Sequence, residues 1–171
     1  MIDRQENYRL LNSVRNDISY AENEIDTLKR LFSVYQSRMN DLNTYRRKML
    51  FSPNEIGVAS EFISLVNELE IVNNNLNASR VRIAMLLTAA LSVIVNQIEY
   101  SEKLSPLLMP RIRNILRNIT GIVQETKEFN VDYSSIASLA IRGSFLMTFK
   151  ENITTASPTK RLFDVLLKVI V

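Results

Sequence analysis

The fold is decided by residues 11–50, which read LNSVRNDISYAENEIDTLKRLFSVYQSRMNDLNTYRRKML. Apolar or aromatic side chains recur along this stretch at alternating spacings of three and four residues. Such spacing places them on one face of an α-helix, in the heptad pattern of a coiled coil. The positions are Leu11, Val14, Ile18, Ala21, Ile25, Leu28, Phe32, Tyr35, Met39, Leu42, Arg46 and Met49, of which only Arg46 is polar. The pattern predicts a nearly unbroken helix about 68 Å long, for about 45 residues at 1.5 Å each.

A second long helix follows a break at Ser52-Pro53-Asn54-Glu55, a capping-box pattern with proline at the first helical position. About two residues separate the helices, so we expect an antiparallel hairpin in which facing residue numbers add to about 104. This register places Leu28 near Leu76. The predicted seam of the second helix is Phe62, Val66, Leu69, Asn73, Leu76, Arg80, Ile83, Leu87, Ala90 and Ile94.

Two polar residues, Asn73 and Arg80, fall within this predicted seam. They either specify the register of the helix pair or form a buried polar site. We favour the first interpretation, in which the Arg80 side chain extends toward Glu22, Glu24 or Asp26.

From residue 81 onward the second helix is apolar on nearly all sides, and such a helix needs neighbours on all sides. Residues 104–171 can supply them as amphipathic helices predicted over 110–129, 133–150 and 158–169. Segment 165–171 is rich in β-branched residues, so a strand is the alternative to a helix there. The predicted apolar faces are Ile112, Ile115, Leu116, Ile119, Ile122 and Val123, then Ile136, Leu139, Ile141, Leu146 and Phe149, then Leu162, Phe163, Leu166 and Leu167.

We therefore predict a single all-α domain over residues 1–171. A long antiparallel coiled-coil hairpin over 4–102 projects as a bare arm over about 22–78. Two or three shorter helices over 103–171 complete a bundle at its base, to which a second copy of the chain could also contribute.

The composition excludes most catalytic and metal chemistry. The 171 residues include 21 Lys and Arg and 18 Asp and Glu, but no His or Cys. Thiolate and imidazole metal sites, disulfides and histidine-dependent nucleophilic catalysis are therefore impossible. Ser157-x-x-Lys160 is better interpreted as a helix N-cap before Pro158 than as a Ser–Lys nucleophile. We expect no enzyme, no cofactor and no metal.

Without a catalytic residue set, the long arm and apolar base favour a structural protein. We expect a helical subunit of an oligomeric assembly that binds protein partners or copies of itself, with a viral or phage particle as the leading candidate. The start of the chain lacks the apolar run of a secretory signal. We accordingly expect the cytoplasm or an assembled particle.

A membrane-interacting protein is the alternative. The apolar segment 81–98 is shorter than the about 20 residues of a membrane span. The hairpin tip combines cations with apolar side chains, which suits an acidic lipid or protein surface, although the cations also complement the helix dipole. The predicted interaction tip is Arg46, Arg47, Lys48, Met49, Leu50 and Phe51.

Nucleic-acid binding is a further alternative. Arg111, Arg113 and Arg117 share the polar side of the third helix and could contact phosphates. The net charge of +3 is small and no aromatic residues interleave with these arginines. A solvated basic face is therefore the favoured interpretation.

Overall fold

The computed structural model describes residues 4–51, 56–101, 106–150 and 157–171, and the side chains of 9–50, 60–101, 106–150 and 157–171. Every regular element within these ranges is helical, so the predicted all-α class is confirmed. The predicted capping box at 52–55 lies outside the described residues. The elements are α1 (Arg4–Phe51), α2 (Ile56–Tyr100), α3 (Met109–Thr126), a short 3₁₀ helix (Lys127–Phe129), α4 (Ser134–Lys150) and α5 (Pro158–Ile170).

The two long helices pack against each other, α4 and α3 pack on the long helices, and α5 packs on α3 and α4. Helix α4 lies on α2 and α5, while α3 lies on α5 and α1. One hydrophobic core joins all five helices. Its fully enclosed members include Leu11, Leu28, Leu76, Ile83, Leu87, Leu91, Ile94, Ile98, Ile112, Leu116, Ile119 and Phe163.

Local capping explains where the last two helices begin. The Ser157 hydroxyl accepts a hydrogen bond from the Lys160 backbone N–H at 3.0 Å, ahead of Pro158, which confirms the predicted N-cap. The Asp132 carboxylate accepts from the Ser134 N–H at 3.0 Å, and this bond lowers the pKa of Asp132. Segment 165–171 was predicted to be either strand or helix, and α5 continues through it as far as Ile170, with Phe163 and Leu166 on one helical face in the core.

The face of α2 that is buried differs in part from the predicted seam. Leu65 is half-buried whereas Val66 is 39% exposed, and Ser79 is buried whereas Arg80 is only half-buried. Positions three and four residues beyond a seam position lie on opposite flanks of the same helical face. The spacing alone does not decide which flank faces the neighbouring helix, and the prediction for Val66 was wrong.

The prediction for Arg80 was also wrong. Its Nε donates to the backbone carbonyl of Phe129 at 2.7 Å, and its Nη1 donates to Asn77 Oδ1 at 2.9 Å. The cation that lies 3.8 Å from Glu24 is instead Arg82, two residues further along α2. Arg80 occupies the flank of α2 that faces the 3₁₀ helix. Its side chain therefore links that helix to α2 and does not extend toward the acidic residues of α1.

The base of the fold covers more of α1 than predicted. Lys29 forms an ion pair with Glu125 of α3 at 2.7 Å. The ring of Phe32 packs edge to face on Phe129, with centroids 5.0 Å apart. The section predicted as a bare arm from residue 22 is therefore covered as far as Phe32.

Candidate interaction surfaces

One face of α4 carries large apolar side chains that are exposed. Ile141, Phe145 and Phe149 follow one another at four-residue intervals, and they are 59%, 62% and 72% exposed. The rings of Phe145 and Phe149 contact each other edge to face, with centroids 5.0 Å apart. We name these three residues the α4 stripe. The opposite face of α4 is buried through Ile136, Ala140, Gly143, Ser144 and Met147.

The sequence pattern misassigned this face. It placed Ile141 and Phe149 in the core and did not single out Phe145. Helix α4 has apolar residues on two faces, so periodicity alone does not choose between them. The sequence signal for the buried face of α4 is the pair of small residues Gly143 and Ser144, which allows close helix packing. The Phe163 ring of α5 lies against Gly143.

The two cations of α4 are both engaged by the end of α2. Arg142 Nη2 donates to the Glu99 carboxylate, and this bond raises the pKa of Arg142. Lys150 Nζ donates to the carbonyls of Ser101 at 2.8 Å and Glu99 at 3.3 Å. The last carbonyls of a helix lack intrahelical donors, so Lys150 satisfies groups that would otherwise need water.

A groove of about 680 Å³ lies between α2 and the segment that leads into α4. Val81 and Met85 line it from α2 and are exposed, whereas Asp132 and Ser135 line the other side. Arg80 lies at the groove but already donates to Phe129 and Asn77. The shorter helices therefore leave one face of the apolar half of α2 exposed, where the sequence predicted cover on all sides.

The predicted tip combines exposed cations with an exposed apolar residue. Arg46, Arg47 and Lys48 are exposed, and the Lys48 ammonium lies 5.0 Å from the centre of the Tyr45 ring. Leu50 is 80% exposed. Met49 is half-buried. The side chain of Phe51 lies outside the described residues, so the tip is defined here by its cations and Leu50.

The three arginines of α3 do not form one exposed row. Arg111 and Arg113 are half-buried, and only Arg117 is exposed. The Arg117 Nη1 donates to Asn114 Oδ1 on the same helix at 3.1 Å. The half-buried positions disfavour a continuous phosphate-binding face.

Helix α2 is long and apolar enough over Ser60–Tyr100 to cross a membrane, judged by length and composition alone. Within its most apolar window, 44% of the residues are buried inside the fold. In the part of the chain that the structure describes, no group of three or more acidic side chains is placed to hold a metal ion.

No protein-family model, curated protein or solved structure matches the chain.

Proposed function

We propose that this chain is a helical structural subunit of a protein assembly, which binds its partners through exposed apolar faces. The α4 stripe carries the proposal. The core is filled by residues from all five helices, yet Ile141, Phe145 and Phe149 remain exposed side by side. Contiguous exposed apolar side chains on a folded chain mark interaction surfaces, because leaving them in water costs free energy.

We further propose that α1 and α2 form an antiparallel coiled-coil hairpin. Three contacts support it: Glu24 with Arg82, Arg38 with Glu68 at 3.2 Å, and Tyr45 with Glu61, whose carboxylate raises the pKa of the Tyr45 hydroxyl. The residue numbers add to 106 in each contact. Contacts nearer the C-terminal end of α1 therefore involve residues nearer the N-terminal end of α2, as in an antiparallel pair. That sum lies close to the value near 104 that the heptad pattern predicts.

The hairpin gives the subunit two separated contact regions. The arm would extend about 28 Å beyond Phe32, for about 19 residues at 1.5 Å each. It would hold Leu50 and the tip cations away from the α4 stripe, which lies on the base. A rigid subunit with apolar groups at both ends suits a role in holding other proteins at fixed positions.

Light scattering coupled to size exclusion at micromolar concentration tests the proposal. We expect an oligomer, with a mass that is a multiple of the 19.7 kDa of one chain. A monodisperse 19.7-kDa monomer that also retains no protein in a pull-down would overturn it.

A membrane-interacting protein is the second candidate, supported by the apolar section of α2 and by the exposed tip cations. Co-sedimentation with anionic vesicles tests it. Binding that disappears at high salt and in an Arg46→Gln, Arg47→Gln, Lys48→Gln variant would assign lipid contact to the tip. Binding that persists at high salt would assign the lipid contact to α2. Absence of binding at low salt would remove this candidate.

A further inference from the structure

We propose that the α4 stripe pairs with the same stripe of a second copy of this chain, with the two α4 helices antiparallel about Phe145. This inference rests on the proposed role as an assembly subunit. It adds the identity of the partner and the residues that meet.

The charges of α4 favour a neutral, apolar partner. Helix α4 carries only two charged residues, Arg142 and Lys150. Arg142 donates to Glu99, and Lys150 donates to the carbonyls of Glu99 and Ser101. Both cations are thus held toward α2, beside the stripe. A phosphate backbone, an acidic peptide or an anionic headgroup would find no unengaged cation on this helix, whereas another apolar stripe needs none.

The spacing of the stripe makes it self-complementary. Ile141 and Phe149 lie four residues before and four residues after Phe145. When two such helices cross antiparallel at Phe145, Ile141 of each copy faces Phe149 of the other, and the two Phe145 rings meet at the twofold axis. A closed dimer with twofold symmetry has this arrangement, in which the same surface serves both subunits. Aromatic pairs at the centre of such an interface contribute strongly to binding.

The same features disfavour lipid as the occupant. A helix that lies in a membrane interface carries Lys and Arg on its polar side, directed toward the headgroups. The cations of α4 are instead bound to the end of α2. The opposite side of α4 is buried through Ala140, Gly143 and Met147 and does not face solvent.

Sedimentation velocity on the full chain provides the first test. Phe145→Glu places like charges opposite each other at the twofold axis, so we expect the oligomer mass to fall by half. Because Phe145 is 62% exposed, the circular dichroism spectrum should remain that of a folded helical chain, whereas the melting temperature falls by whatever the dimer contributes to stability. The matched control is Ile71→Glu, which alters an apolar side chain that is 61% exposed on α2, and it should leave the mass unchanged.

Cysteine cross-linking tests the orientation, and the natural absence of cysteine makes single-cysteine variants unambiguous. Disulfides need Cα atoms within about 7 Å. Phe145→Cys should therefore cross-link with itself under mild oxidation. A mixture of Ile141→Cys and Phe149→Cys chains should cross-link faster than either variant alone. Faster self-linking of Ile141→Cys and of Phe149→Cys would indicate parallel helices and overturn the arrangement.

The outcomes separate the two proposals. If the wild-type chain is oligomeric and Phe145→Glu leaves its mass unchanged, the stripe pairing is wrong and the assembly role stands. If the wild-type chain is monomeric and retains no partner, both are wrong. If phosphatidylcholine vesicles bind the wild-type chain but not Phe145→Glu, the stripe binds lipid and the pairing is again wrong.

Discussion

The ring of Phe163 on α5 lies directly against Gly143 on α4, so close that no β-carbon fits between them. A β-carbon at Gly143 would lie 2.8 Å from Cδ1 of the ring and nearer still to two other ring atoms. Next to this contact, the Ser144 hydroxyl donates to the Asp164 carboxylate at 2.6 Å. These two contacts fix the face of α4 that meets α5, and they thereby turn Ile141, Phe145 and Phe149 outward.

Replacing Gly143 with alanine should destabilise the fold. The substitution removes a helical glycine, which by itself would favour folding by about 1 kcal/mol. The added methyl group overlaps a buried aromatic ring that is enclosed on all sides, and such overpacking costs about 1–3 kcal/mol. We expect the overpacking to prevail, and urea denaturation measures the net change.

Gly121→Ala is the matched control. Gly121 also lies within a helix, but a β-carbon there would meet nothing within 4 Å. The substitution should therefore stabilise the chain by up to about 1 kcal/mol. If both variants shift the urea midpoint in the same direction, the close packing of α4 on α5 is wrong.

Arg80 and Arg82 should differ in their contribution to stability. Arg80→Met keeps most of the apolar stem but removes the hydrogen bond to the Phe129 carbonyl, and we expect a loss of about 1–3 kcal/mol. Arg82 is exposed and lies 3.8 Å from the largely buried Glu24 carboxylate, beyond hydrogen-bonding distance, so Arg82→Met should cost less than Arg80→Met, about 1 kcal/mol. Thermal denaturation of the two variants compares them. Equal losses would mean that the carbonyl contact of Arg80 contributes no more than the longer charge pair of Arg82 with Glu24.

The helices themselves could be predicted because local signals define them. The break before α5 carries a serine N-cap followed by proline, and that cap is present at Ser157. The sparse glycines and prolines leave two long uninterrupted stretches, which form α1 and α2. Caps and breakers act within a few residues of the helix end, so the sequence contains all that is needed to place it.

The orientation of each helix toward its neighbours was harder to predict. The pattern placed Val66 in the seam and Ile141 in the core, and both are exposed. The choice between two apolar faces of α4 depends on Gly143 meeting Phe163, which lies twenty residues away along the chain. The direction of the Arg80 side chain likewise depends on its hydrogen bond to the backbone carbonyl of Phe129, which no pattern of side chains in the sequence indicates. For α4 the small residues Gly143 and Ser144 are the one sequence signal for the buried face, and the Arg80 contact depends on tertiary structure alone.

Alanine substitutions on the two long helices test which flank of the seam is buried. Leu28 is fully buried, so Leu28→Ala should cost about 2–5 kcal/mol through lost burial and the cavity left behind. Val66 was expected in the same seam but is exposed, so Val66→Ala should change the free energy of unfolding by about 0.5 kcal/mol or less. Urea denaturation at neutral pH measures both. A large loss for Val66→Ala would restore the original seam assignment.

Tyr133 should make the stability depend on pH in the alkaline range. Burial raises the pKa of Tyr133 to about 12, although its hydrogen bond with Thr126 acts in the opposite direction. The folded chain therefore holds the phenolic proton more tightly than the unfolded chain, in which the pKa is near 10. This contribution is fully present below pH 10 and is lost as the pH rises to about 12. It amounts to about 3 kcal/mol, at 1.36 kcal/mol per pKa unit.

Tyr133→Phe isolates this effect, because the other titrating groups are common to both chains. At pH 7 the variant should be less stable by only about 1 kcal/mol, the value of one hydrogen bond. The Thr126 hydroxyl still donates to the Ile122 carbonyl at 2.7 Å, so it is not left without an acceptor. Above pH 10 the wild-type chain loses stability faster, and the two curves of unfolding free energy against pH should cross before pH 12. Curves that remain parallel from pH 7 to pH 12 would show that the Tyr133 hydroxyl is solvated in the folded chain, and that the turn between α3 and α4 is open to water.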